Sequence, residues 1–208
     1  MANQLRCGFR VIEGAGRHLK MRTVSVASGY TPANSCPGIA VGEVVEFVTA
    51  GTVEILGDGG SDAGLAFGIV KSVSFIGGDG RRVYGGVLPA GHTFSGNANI
   101  TNPNAPRIEV IVDPAAEYEA CVASTSTNAL AFAGVGANMD LSATSATSVS
   151  TTYRESLRTL DGTYVAGTAQ FRIEEILTDP VNDVTSTNYR VRVSINEGSH
   201  RYLSLAGI

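Results

Sequence analysis

The side chains that most often do chemistry are few in this sequence and poorly spaced for it. His18, His92 and His200 stand far apart, with none of the short intervals that bring two imidazoles to one metal ion. A Ser-His-Asp constellation assembled through space leaves no mark on spacing, so local motifs carry the argument. Residues 59–63, GGSDA, come nearest to a nucleophile elbow. They lack the final glycine and lie between strand signals, which makes them a turn. Asp58 and Asp62 in GDGGSD lack the further ligands and closing glutamate of a calcium loop, so a glycine-rich hairpin tip is expected there. GAGRH, from Gly14, has two of the three glycines of a dinucleotide loop but no β-α-β context. Glu117 and Glu119 share one face of a strand, and paired carboxylates can do acid-base work. They alternate with Tyr118 and Ala120, however, as on a strand with one wet face. No catalytic residue, metal site or cofactor is expected, and the chain is not expected to be an enzyme.

Composition narrows the classes further. Of 208 residues, 43% are hydrophobic, enough for a real core, while 16% are charged against the usual ~25%. Abundant Gly, Ser and Thr point to short strands and tight turns. Cys7, Cys36 and Cys121 are odd in number and widely spaced, which argues against a disulfide scaffold or a zinc site and for buried thiols in a cytosolic product. No stretch has the build of a signal peptide or approaches a membrane-spanning run, so no membrane partner is expected. The formal charge of -4, the absence of Trp and the scarcity of aromatics argue against nucleic acid as a partner. The charge is uneven: residues 1–22 hold Arg6, Arg10, Arg17, Lys20 and Arg22 against Glu13 alone. A cationic amino-terminal arm on an acidic body is positioned to reach an acidic neighbour, or is simply a solvated or partly paired segment.

Strand signals recur along the whole chain. EVVEFV and TVEIL read as a hairpin; GIVKSVSFI and RRVYGGVL flank the turn GGDG. The Asn-, Pro- and Gly-dense residues 95–106 mark a candidate boundary, giving an arm (1–30), a first β subdomain (31–102) and a second (103–208). RIEVIVDPAAEYEACV, residues 107–122, reads as two strands broken at Asp113-Pro114, since proline cannot donate to a ladder. That break is expected to carry Tyr118 to Val122 onto a second sheet. YRVRVSIN alternates Tyr189, Val191, Val193 and Ile195 against Arg190, Arg192 and Ser194, as a half-exposed strand requires. A short helix fits Tyr153 to Leu160, where Thr152 and Glu155 have capping-box spacing. The expected class is all-β, with antiparallel barrel or sandwich subdomains and an extended amino-terminal arm.

The order of the segments adds a resemblance. Arg82, Val83 and Leu88-Pro89-Ala90-Gly91 are followed by Val112-Asp113-Pro114 with Tyr118-Glu119, then Gly136-Ala137 with Asp140-Leu141, then Ile195-Asn196. Over about residues 37 to 200 this succession resembles the capsid decoration, or cement, proteins of tailed bacteriophages. It departs from their pattern at Gly85 and Gly86, where bulkier sequence often follows the arginine.

The resemblance implies a non-enzymatic virion protein that coats and stabilises the outside of the assembled capsid, put together in the bacterial host cytoplasm. Its partners would be the major capsid protein and itself, as a homotrimer or, alternatively, a dimer. Arg6, Phe9, Arg10, Arg17, Lys20 and Arg22 of the arm would lie along a neighbouring subunit or the capsid protein. The alternative is a carbohydrate- or receptor-binding β module of a tail or fibre; the lack of Trp for sugar stacking counts against it.

Overall fold

The computed structural model describes residues 8–12, 18–48, 51–57, 65–123, 134–143, 148–150, 152–165, 169–177 and 188–196. The fold is all-β, as the recurring strand signals predict. A first sheet runs β2 (Met21–Val24), β9 (Arg107–Ile111), β6 (Ala66–Ile76), β4 (Val44–Phe47) and β5 (Val53–Ile55), with β7 (Arg82–Gly85) also paired to β6. The Val53 amide donates to the Ser25 carbonyl at 3.0 Å, so the far edge curls back to the segment after β2. The predicted β4–β5 and β6–β7 hairpins both form.

A second sheet closes on itself. β10 (Glu117–Ala123) pairs with β14 (Leu160–Val165), which pairs with β11 (Asn138–Leu141), then β15 (Phe171–Ile176), then β16 (Asn188–Ile195), and β16 returns to β10. The β10–β14 contact is parallel; the other pairings are antiparallel. Two small ladders lie where the halves meet, β3 (Gly38–Ala40) with β8 (Val87–Pro89) and β12 (Val149–Ser150) with β13 (Glu155–Ser156), and a Val41–Glu155 bridge links them. The helix expected at Tyr153 to Leu160 is replaced by a turn and β13. Arg154 sits at φ 56°, outside helical space, and Ser150 Oγ accepts from the Tyr153 amide.

Side-chain alternation divides the first sheet between two cores. Val45, Phe67, Val70, Val73, Ile108 and Val110 point into its own interior. Their neighbours Val44, Ala66, Ile69 and Ile111 point the other way, into a core shared with Tyr118, Val122, Phe171, Tyr189 and Val193 of the second sheet. A strand buried on both faces reads as a continuous apolar run, which is why VV, AF and IV pairs recur in β4 and β6.

Asp113-Pro114 is the passage between the sheets, as its sequence predicts. Asp113 Oδ1 accepts from the Ala115 amide and its carbonyl from the Ala116 amide, closing a tight turn from β9 into β10. Residues 95–106, the expected boundary, connect β8 of the small β3–β8 ladder to β9 of the first sheet. Their asparagines brace the loop locally, with Asn99 Oδ1 capping the amides of Thr101 and Asn102. Turn composition marked a long connection there, and the passage to the second sheet comes after β9.

The amino-terminal segment is built into both sheets. β1 (Arg10–Val11) pairs with β10, and β2 pairs antiparallel with β9, so this segment runs alongside the crossing strand on each side of the passage. The Lys20 carbonyl accepts from the Val112 amide at 2.9 Å, and the Ile12 amide donates to the Glu117 carbonyl at 2.8 Å. Over its described residues, the expected free arm is a staple along its own body.

Candidate functional site

Where the two halves meet, a charged pair is wholly buried. Gly42, at φ 81°, turns the chain from β3 into β4 and lets the Phe9 backbone approach; a Cβ there would lie 2.9 Å from the Phe9 carbonyl oxygen. The next residue is Glu43, with Oε1 3.2 Å from Arg158 Nη1 and neither side chain exposed. Ser156 Oγ donates to Glu43 Oε2 at 2.9 Å, the Val44 amide donates to Oε1 at 3.2 Å, and Arg158 Nε donates to the Ser142 carbonyl at 2.8 Å. Arg158 Nη2 has no hydrogen-bond partner among the described residues. Burial pushes the Glu43 carboxyl above its ordinary range, and the attraction of Arg158 only partly offsets this. The pair ties the start of β4 to the segment between β13 and β14, and its geometry is that of a pin. Sequence reasoning missed it. One signal existed, a lone acid in the apolar run IAVGEVV; Arg158 carries none.

Of the predicted partner residues, Phe9, Arg10, Lys20 and Arg22 are among the described ones. Phe9 is 2% exposed and stacks on Phe171 with ring centroids 4.6 Å apart, inside the chain's own core. A role at a neighbour's surface is therefore excluded for Phe9 in this fold. Arg10 reaches Glu155 at 3.4 Å, Lys20 donates its amide to Asp113 Oδ2, and Arg22 is exposed on β2. Arg6 and Arg17 lie outside the described residues, as do Cys7, His200 and the GAGR, DGG and GSDA segments. Cys36 and Cys121 are buried.

Glu117 and Glu119 take part in a charge ladder on the wet face of β10, β15 and β16. Arg190 meets Glu119 at 3.0 Å, and Arg192 meets Glu175 at 2.7 Å and Glu117 at 3.5 Å. Both carboxylates are thus engaged in ion pairs along the strand face. His92 packs against Phe75 edge-on, at 5.1 Å, and its partial burial lowers its pKa. Among the described residues no group of three His, Cys, Asp or Glu side chains comes together to hold a metal.

An open cleft lies on the first sheet. The second sheet covers only one end of its outer face, and the uncovered end forms a cleft of about 630 Å³. Lys71, Arg82 and Arg107 line it against a single acid, Glu109, which accepts from Ser72 Oγ at 2.7 Å. Tyr84 stands beside it, 79% exposed. On the opposite face of β7 lies an apolar groove of about 270 Å³, lined by Pro37, Phe75, Val83, Val87, Pro89 and Val149. Arg154 closes one end: its carbonyl oxygen lies 1.7 Å from where a Gly86 Cβ would be, which accounts for glycine at that position.

Compared with protein-family models, with curated proteins and with solved structures, the chain matches none.

Proposed function

We propose that this chain is a non-enzymatic structural protein of a tailed phage head, binding the outside of the assembled shell through the major capsid protein and stabilising it. The observation that carries the reading is the place of the residues behind the resemblance. Val112-Asp113-Pro114 forms the passage between sheets, Tyr118 is fully buried in the shared core, and Leu88 and Leu141 are buried in β8 and β11. Asn196 closes the end of β16, donating to the Ala169 carbonyl at 2.7 Å and to Asn138 Oδ1 at 3.1 Å. The resembling segments are the joints of one firm body, and a clamp needs such a body. A protein that binds only the assembled shell stabilises it by mass action, and modest contacts repeated over a lattice add up.

Purified protein mixed with emptied phage heads assembled without it should cosediment with them and raise their disruption temperature. Heads that sediment bare at saturating protein would end the reading. Trimerisation belongs to the same proposal, and light scattering should then give three times the 21.5 kDa chain mass.

A further inference from the structure

β7 is an edge strand with unequal sides. The Gly77 amide donates to the Arg81 carbonyl at 2.8 Å, which makes 77 and 81 a hydrogen-bonded pair. Pairing continues without a shift through Ile76↔Arg82, Phe75↔Val83, Ser74↔Tyr84 and Val73↔Gly85. Hydrogen-bonded and open pairs alternate along an antiparallel ladder. Val83 and Gly85 therefore bond to β6, while the amides and carbonyls of Arg82 and Tyr84 point away from it. Two residues on, the outward carbonyl of Gly86 accepts from the Val41 amide at 2.7 Å. Gly42 then turns the chain away, and among the described residues no strand continues beside Arg82 and Tyr84.

We infer that this edge is a docking site for an extended segment of another protein whose side chains alternate acidic and apolar. A strand added to β7 sends successive side chains to opposite faces. One set enters the apolar groove over Val83, Val87 and Pro89; the other meets Arg82, Arg107 and Lys71 over the polar cleft. Charge complementarity selects acids for the second set: the Arg107 side chain makes no hydrogen bond or ion pair among the described residues, and Tyr84 offers an exposed ring beside it. Short, charged edges also protect sheets from unwanted pairing. Protection alone calls for no groove on the far face. The function proposed above bears only on who supplies the segment, which would then be the capsid protein.

The probe is a labelled octapeptide alternating valine and glutamate, with its valine–lysine counterpart as control. Binding of the glutamate peptide should slow amide hydrogen exchange at Arg82 and Tyr84, and added salt should weaken it. Tyr84→Pro removes the outward N–H, which an edge strand tolerates, along with the exposed ring, and should weaken binding about tenfold or more. Tyr84→Ala, which keeps that N–H, should bind more tightly than the proline variant. Arg107→Glu leaves the backbone untouched and should shift preference toward the lysine peptide even if the proline variant does not fold. No slowing at Tyr84, equal binding of the two peptides, or an unchanged preference in Arg107→Glu would each overturn the inference. So would protection of Tyr84 that grows with protein concentration and needs no peptide, since the occupant would then be a second copy. Failure of the two proposals is separable. Shells coated equally by wild type and Tyr84→Pro would remove the edge from the shell contact and spare the coating reading; peptide protection without shell binding would do the reverse.

Discussion

At the scale of single residues, Glu43 and Arg158 decide most. Two charges out of water attract strongly, yet desolvation consumes much of that attraction, so the pair adds little net stability while the loss of either partner strands the other. Arg158→Met should lower unfolding free energy by about 3–5 kcal/mol in urea melts, and Glu43→Leu with Arg158→Met together should return it to near the wild-type value. A single variant costing under about 1 kcal/mol would mean that water reaches the site. The pH dependence follows from the raised carboxyl. Between the ordinary value of 4.5 and its higher folded value, the folded state holds a proton that the unfolded chain has released. The stability tied to this proton is fully present below 4.5 and is lost as pH rises through the folded value. Wild type should therefore gain on Glu43→Gln as melts are moved from neutral pH toward pH ~5, where linkage operates. A gap that stays constant across that range would show that Glu43 titrates normally.

At the scale of elements, the amino-terminal segment is the part that sequence reasoning placed least well. Its basic residues suggested an arm for a partner, but the feature that fixes it is Phe9, whose ring completes a core drawn from distant strands. Phe9→Ala should cost about 3–5 kcal/mol, as truncation of a buried aromatic does. Deleting residues 2–22 should leave a body that exposes β9 and β10 and aggregates; a deletion that melts like the full chain would restore the free-arm picture. The crossing element was legible by contrast, because proline and aspartate act locally. Asp113→Ala should cost about 1–2 kcal/mol through the lost cap, more than Pro114→Val, whose effect of ~0.4–1 kcal/mol comes from the unfolded chain. The strand faces of β16 were legible for the same local reason, since alternation needs only neighbours. Strand partners, the buried pair and the open edge of β7 depend on residues far apart in sequence, which periodicity does not encode.

At the scale of the whole molecule, the shared core makes a firm statement about cooperativity. Val44, Leu56, Ala66, Ile69 and Ile111 of the first half lie in one cluster with Tyr118, Met139, Leu160, Phe171 and Val191 of the second. Neither half can unfold without exposing apolar surface on the other, and the Glu43–Arg158 pair and both amino-terminal strands span the same division. The two sheets are therefore one folding unit, although the closed ring of β10, β14, β11, β15 and β16 has the topology of a separate barrel. Thermal unfolding should show a single transition with calorimetric and van 't Hoff enthalpies in agreement. Residues 103–208 expressed alone should fail to fold, for want of the first sheet's covering face. Two resolved transitions, or a folded carboxy-terminal half, would show that the halves merely touch. The distinction bears on the proposed role: a cement protein with one cooperative body passes strain between its contacts, whereas two loosely joined barrels would yield at the seam.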